Sequence, residues 1–152
     1  GLIFKKDFMA KMGSYWGIFG SISAMLFPAL DPFSFPHITQ FSYFIGHVFL
    51  LWGSIYLLFV KNVGMNKYEF KKIVIITNIY HALIFILNNI IGSNYAFMST
   101  SPIGIGNNLN PYLYGLIVMM IFNIILSLEY IIINKKQDKE LEECYDVEVL
   151  NT

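Results

Sequence analysis

Arginine is missing from this chain of 152 residues, and charge of either sign is scarce: ten lysines and ten acidic residues make up 13% of it. A soluble globular domain carries about 25% charged residues, so that class is set aside. The charges cancel to a formal net charge of zero, which leaves no basic field to draw in nucleic acid. Cysteine occurs once, as Cys144, which excludes an internal disulfide and a thiolate metal cluster. There is no phosphate-binding loop, no HExxH pair and no serine nucleophile elbow. The nearest glycine-rich piece, Gly104-Ile105-Gly106, has no strand before it. Two histidines within apolar segments, with no acidic partner at similar depth, make a poor metal site; no metal and no cofactor is expected. No internal repeat is evident. Residues 1–11 have too short an apolar core for a signal peptide. The opening on Gly1 reads as processing or as a fragment of a longer protein.

What fills the chain instead is apolar: 56% hydrophobic residues, 17% aromatic. The expected fold class is all-α, a polytopic transmembrane helical bundle with four helices in this chain. The spans read as Met12–Leu30, Phe41–Val60, Ile73–Ile91 and Tyr112–Ile133. A helix of twenty residues is about 30 Å long, the hydrocarbon thickness of a bilayer. The expected domains are a cytoplasmic flank over residues 1–11, a four-helix transmembrane domain over 12–133, and an acidic cytoplasmic tail over 134–152, helical up to Cys144. The first span is cut off by Asp31-Pro32, since proline cannot sit inside a continuing helix. Its small residues Gly13, Gly17 and Ser21, and likewise Gly20 and Ala24, recur every four positions, the spacing that lets helix backbones approach.

Lysine placement sets the orientation. Lys5, Lys6 and Lys11 precede the first span; Lys61, Lys67, Lys71 and Lys72 lie between the second and third; Lys135, Lys136 and Lys139 follow the fourth. The other two loops have none. Four spans put all ten on one side, and the positive-inside rule makes that side cytoplasmic, with both termini. The expected location is the cell membrane, multi-pass.

Polar groups inside the spans are where function is sought, because they are costly unless they face protein or water. The third span carries Asn78, His81, Asn88 and Asn89. Asn78, His81, Phe85 and Asn88 fall on one helix face, a stripe from mid-membrane to the outer end. His47 lies about 9 Å from the outer end of the second span, with Ser54 seven residues on. Asp31, His37, Ser93, Asn94, Asn107, Asn108 and Asn110 add polarity in the outer loops, so the stripe reads as an outward-opening polar funnel. His47 is expected to face the bundle beside Gly46 and Gly53, with Asn88 and Asn89 as hydrogen-bond partners, while Leu50, Leu57 and Leu58 face lipid. Asn78, Asn123 and Glu129 compete as structural residues, Glu129 by reaching toward the near surface. The uncharged loop Gly92–Pro111 carries Tyr95, Phe97, Met98, Ile103, Ile105 and Leu109. That content disfavours disorder, and the loop is expected to fold back over the helix ends.

The order YWGIFGSISAMLFPAL, a proline turn, FSYFIGHVFLLWGSIYLLFV, LNNIIGSNYAFMSTSP and NPYLYGLIVM resembles the YwaF-like family of bacterial integral membrane proteins, over roughly Tyr15 to Tyr130. The most specific piece is Gly92-Ser93-Asn94-Tyr95 with the loop closing at Pro111-Tyr112. The family has no established activity, and is distantly similar to a eukaryotic transmembrane acyltransferase that works with a cysteine and a histidine. The resemblance implies further helices N-terminal to this portion, one bearing a Leu-Pro-Leu-His-type motif and a nearby cysteine. Only His47 matches the family pattern among the intramembrane histidines. Cys144, in the acidic tail, is no substitute nucleophile.

Three functions are therefore in play. One is binding or transport of a small polar molecule or lipid headgroup, held by His47, His81, Asn78, Asn88, Asn89 and Asn94. Another is a lipid-modifying, acyltransferase-like enzyme with His47 as its catalytic base. The last is a purely structural half of a larger membrane fold. The partners implied are membrane lipids and either partner helices or the missing N-terminal ones, with no nucleic acid.

Overall fold

Charged residues open two of the helices earlier than the apolar pattern does. The structure, a computed structural model, describes residues 7–30 and 32–150, with side chains through residue 136. Lys5, Lys6, Asp31 and the side chains of the acidic tail, Cys144 included, lie outside the described residues. Four α-helices are present, with no strand among the described residues: α1 Asp7–Leu26, α2 Ile38–Ile55, α3 Lys67–Ile91 and α4 Pro111–Leu150. Three of them are long and apolar enough to cross a membrane, over Ile38–Val60, Lys67–Ile91 and Pro111–Lys136. The described residues form two compact units: those within 7–66 together with 128–150, and residues 67–127.

In the first unit α1 begins at Asp7, where Asp7 and Lys11 pair at 3.1 Å one turn apart. It ends at Leu26, four residues before the expected Leu30, because Pro28 cannot continue the helix. α2 starts three residues earlier than expected. His37 is its N-cap: Nδ1 accepts from Thr39 N–H, while its own N–H donates to Gln40 Oε1, both at 3.3 Å. This capping box satisfies two otherwise unpaired helix-end donors. The helix closes in a π-helical turn, Tyr56–Val60, with Lys61 N–H donating to Tyr56 O at 2.9 Å.

The packed face of α2 differs from the expected one. Gly46 and Gly53 face open space, whereas Ser54 is 3% exposed and Leu58, expected to meet lipid, is 1% exposed. On α1, Gly13 and Gly20 also face open space, and Gly17 is the glycine that packs. Its Cα lies so close to Ser54 that a β-carbon there would collide with Ser54 Oγ. Ser14, Tyr15 and Ser21 are buried with it. At the far end of this unit Lys136 Nζ donates to Phe59 O at 3.0 Å and sits over the Phe59 ring, a cation at carbonyls that end a helix.

In the second unit α3 begins at Lys67, six residues before the expected Ile73, so Lys67, Glu69, Lys71 and Lys72 belong to its first turns. Its buried positions are Ile73, Thr77, His81 and Asn88, spaced to fall on one face. The helix stops at Gly92, with φ +66° and Ser93 N–H donating to Asn88 O at 3.2 Å. That is the left-handed C-terminal cap that favours glycine. α4 begins with Pro111 at its first position and Asn110 as N-cap, Asn110 Oδ1 accepting from Tyr112 N–H at 2.9 Å. It continues past the expected end at Ile133 and past Cys144, to Leu150. Gly115, unremarked in the sequence, lies against Phe85: a β-carbon there would come within 2.9 Å of its ring.

Candidate functional site

The polar stripe expected on α3 is present, and the second unit shows what each member does. Asn78 and Asn123 form a closed pair. Asn78 Nδ2 donates to Asn123 Oδ1 at 3.0 Å, and Asn123 Nδ2 donates to Asn78 Oδ1 at 2.9 Å. Each Nδ2 spends its other hydrogen one turn back, on Val74 O and Met119 O, both at 2.8 Å. All four amide hydrogens are thereby used.

Asn88, 2% exposed, is bound to the loop. Its Oδ1 accepts from Tyr95 N–H at 2.9 Å and Ser93 Oγ at 2.7 Å, and its Nδ2 donates to Tyr95 O at 3.0 Å. Asn94 does the same further on: Oδ1 accepts from the N–H groups of Ser99 and Thr100, both at 3.0 Å, and Nδ2 donates to Thr100 O at 2.9 Å. Asn89 is exposed and donates to Phe85 O on its own helix at 2.7 Å. The amides expected to meet His47 are thus engaged within α3 and its loop. The loop does fold back on α4. Met98 is fully buried and Tyr114 Oη donates to Phe97 O at 3.0 Å, yet Tyr95, Ile103, Ile105 and Leu109 stay exposed.

His81 stands apart from these. It is 2% exposed, and its ring centroid lies 4.3 Å from that of Phe122 and 5.5 Å from that of Tyr80. The ring interacts with the Thr77 backbone one turn earlier, but Nδ1 is buried without a well-formed hydrogen bond. A neutral imidazole has one donor and one acceptor to place. Here a nitrogen remains unspent in the interior of a segment long enough to span a membrane.

The first unit holds the other histidine. His47 is half-buried, and its Nδ1 lies 2.6 Å from Tyr43 O. A carbonyl only accepts, so Nδ1 carries the hydrogen and Nε2 is the basic nitrogen. The Tyr43 ring packs on the imidazole at 4.3 Å, and Tyr43 Oη donates to Ala24 O at 3.0 Å, tying α2 to α1. Ser54 Oγ donates to Leu50 O at 2.8 Å. Toward the other end of this unit Tyr15 is fully buried with an unpartnered hydroxyl, and Glu129 buries Oε2 unpartnered. Glu129 and Tyr130 are near enough to Tyr15 to interact electrostatically. Glu129 was expected from its place in an apolar segment; Tyr15 was not. Its one signal is proximity in sequence to the small residues that let α1 pack closely. Among the described residues no three His, Cys, Asp or Glu side chains converge as metal ligands would.

Neither a curated protein nor a solved structure matches the chain. The model of the TMEM164 family matches residues 1–128.

Proposed function

The chain belongs to the TMEM164 family, and from that premise we propose that it is a multi-pass membrane protein that binds a lipid headgroup or a small polar molecule at an intramembrane histidine. The observation that carries this reading is His81, 2% exposed in an apolar helix, whose Nδ1 forms no hydrogen bond of good geometry beyond the ring's interaction with the Thr77 backbone and whose ring packs on Phe122. Buried polar atoms are almost always satisfied, and an ionisable side chain inside an apolar segment is a functional-site candidate. The Asn78–Asn123 pair, four residues or fewer from His81 and Phe122 in sequence, stiffens the two helices that present the ring. The kinship to YwaF-like bacterial members is the finer part of this reading and rests on the segments quoted above. So does the topology of four spans with both termini cytoplasmic, which rests on the lysine asymmetry.

Native mass spectrometry of the protein released from bilayers tests the binding site. The wild type is expected to retain a bound lipid or small molecule; His81→Phe should lose it by tenfold or more, and His81→Gln, which keeps a donor and an acceptor, should retain part. Equal retention in all three removes His81 from the site. For topology, Ser99→Cys and Lys67→Cys, each in a Cys144→Ser background, should react oppositely with an impermeant thiol reagent on intact cells, Ser99→Cys being labelled.

A second reading is favoured by one observation, the Nδ1 bond from His47 to Tyr43 O. It orients the ring and leaves Nε2 as a general base, as a lipid-modifying enzyme requires. Its nucleophile is a lipid hydroxyl or a group supplied by a partner. Acyl exchange between a phospholipid and a lysophospholipid, present in the wild type and absent in His47→Gln, would favour it over simple binding.

A further inference from the structure

We propose that the segment joining α3 to α4 is a membrane-interface anchor, an uncharged loop that pairs much of its backbone through asparagine side chains and lays Tyr95, Ile103 and Ile105 into the headgroup–acyl boundary of a lipid leaflet. Residues 92–110 contain no Lys, Asp or Glu. Their apolar side chains are nevertheless turned outward: Tyr95 is 56% exposed, Ile103 57% and Ile105 72%. This surface continues without a charge onto both flanking helices, through Ile90 at 74% and Tyr112 at 70%. Those helices are themselves long and apolar enough to span. Continuity with a lipid-facing surface is what identifies lipid, and no soluble partner, as the occupant. Tyrosine is enriched at this depth, where one end is apolar and the other wet.

A loop enters that region at lower cost the more of its N–H and C=O groups are paired within the protein, because the acyl side offers them nothing and only the headgroup side supplies water. Asparagine side chains do this work. Asn88 takes both backbone groups of Tyr95. Asn94 takes Ser99 N–H, Thr100 N–H and Thr100 O. Asn107 Oδ1 accepts from Ser101 N–H at 2.8 Å, and Asn110 caps α4. The clamp also holds Ala96 and Phe97 at φ +55° and +51°, a left-handed conformation that residues with a β-carbon adopt only when their surroundings impose it. Amide side chains are suited to this task because they bear a donor and an acceptor without charge.

The test uses the full chain in phosphatidylcholine vesicles. With Cys144→Ser as background, Ile103→Cys and Ile105→Cys carry a nitroxide, and power saturation compares oxygen with a water-soluble nickel chelate as relaxant. Lys67→Cys serves as the water-exposed comparator. Both loop positions should show several-fold less access to the chelate than Lys67→Cys, and more to oxygen. Chelate access equal to the comparator at both loop positions overturns the proposal. The unaltered protein provides an arm free of substitutions. A phospholipid with a photoactivatable group near its headgroup should crosslink to the 92–110 peptide. Adducts abundant on α3 and α4 but absent from that peptide also overturn it. If α3 and α4 themselves lack adducts, the membrane reading of the whole chain fails instead, and the loop proposal falls with it.

Discussion

The Asn78–Asn123 pair allows glue to be separated from function by measurement. Asn78 lies about 17 Å along α3 from Lys67, near the middle of a span of 25 residues. Replacing either asparagine with leucine keeps the branched shape and heavy-atom count, with a somewhat larger volume, and removes the amide. The surviving partner keeps its bond to Val74 O or Met119 O, but its Oδ1 loses the donor that satisfied it. Interhelical hydrogen bonds in membrane proteins average about 0.6 kcal/mol and reach about 1.7. Two reciprocal bonds at 3.0 and 2.9 Å therefore predict a coupling of about 1 kcal/mol, with an upper bound near 3. The single variants should each lose about 1–3 kcal/mol, the cost of a buried polar group left unpaired. Asn78→Leu with Asn123→Leu should lose less than the sum of the singles, because no amide is left to desolvate. The assay is reversible unfolding of the reconstituted protein in mixed micelles, with all four corners of the cycle measured alike. Single effects that add to within about 0.5 kcal/mol would show no coupling and refute the closed-pair account. The asparagines would then be free to serve a ligand, and the same variants should lose bound lipid without losing stability.

Two further perturbations are read from the packing and from the loop. Gly17→Ala is expected to destabilise by about 1–3 kcal/mol through overpacking, since its β-carbon meets Ser54 Oγ; Ser54→Ala should recover part of the loss, its own β-carbon remaining 3.2 Å away. Gly13→Ala and Gly20→Ala, with nothing within 4 Å, should be neutral or slightly stabilising in the same unfolding assay, as alanine favours a helix over glycine. Asn88→Ala removes three loop bonds, a loss of about 1.5–4.5 kcal/mol at about 0.5–1.5 each, and should speed amide hydrogen exchange from Ser93 to Thr100. Asn89→Ala, which loses a bond to its own helix alone, should leave that exchange unchanged.

Three helices of spanning length were legible because charge is nearly excluded from them, and that signal needs no partner to be known; α1, where the expected first span falls, is helical but is not among these three. The end of α3 and the start of α4 were legible to within a residue because their caps are local, whereas the equally local cap of α2, the His37–Gln40 capping box, was read as part of the proline turn. Gly92, Asn110 and Pro111 each do what a single residue of that kind does at a terminus. The start of α3 was misplaced because Lys67, Glu69, Lys71 and Lys72 were read as loop, although helical first turns accept charged residues that remain in water. The small-residue pattern was only half informative. A spacing of four puts Gly13, Gly17 and Ser21 on one stripe, but the choice of Gly17 depends on Ser54 of another helix, which spacing on one helix does not encode. The same reason misassigned Gly46, Gly53 and Leu58. The polar stripe of α3 was visible, yet its partners, Asn123 and the Tyr95 backbone, lie 45 and 7 residues away and emerge only from the fold.

What separates His81 from the other polar residues is how easily each could be satisfied. Among the described side chains, Tyr15 Oη, Ser21 Oγ, His81 Nδ1, Glu129 Oε2 and Asn134 Oδ1 are buried without a hydrogen bond. A serine hydroxyl rotates freely, and Ser14 shows the outcome open to Ser21: its Oγ donates one turn back, to Ala10 O at 2.7 Å. Asn134 lies at the polar end of its span, beside Lys135 and Lys136, where water supplies a donor to an amide oxygen. Tyr15 and Glu129 are within electrostatic reach of one another, and a phenol and a carboxyl are natural hydrogen-bond partners, so a small side-chain movement pairs them. His81 is less easily satisfied: its ring interacts with the Thr77 backbone one turn earlier, but the bond that His47 closes on Tyr43 O is not well formed here. Its ring is rigid beyond two torsions and packs near Phe122 at 4.3 Å and Tyr80 at 5.5 Å, and the nearest amides are closed on each other. The proposed ligand is placed at His81 for that reason and not at Asn78, Asn88 or Asn94, whose amides are closed within the protein.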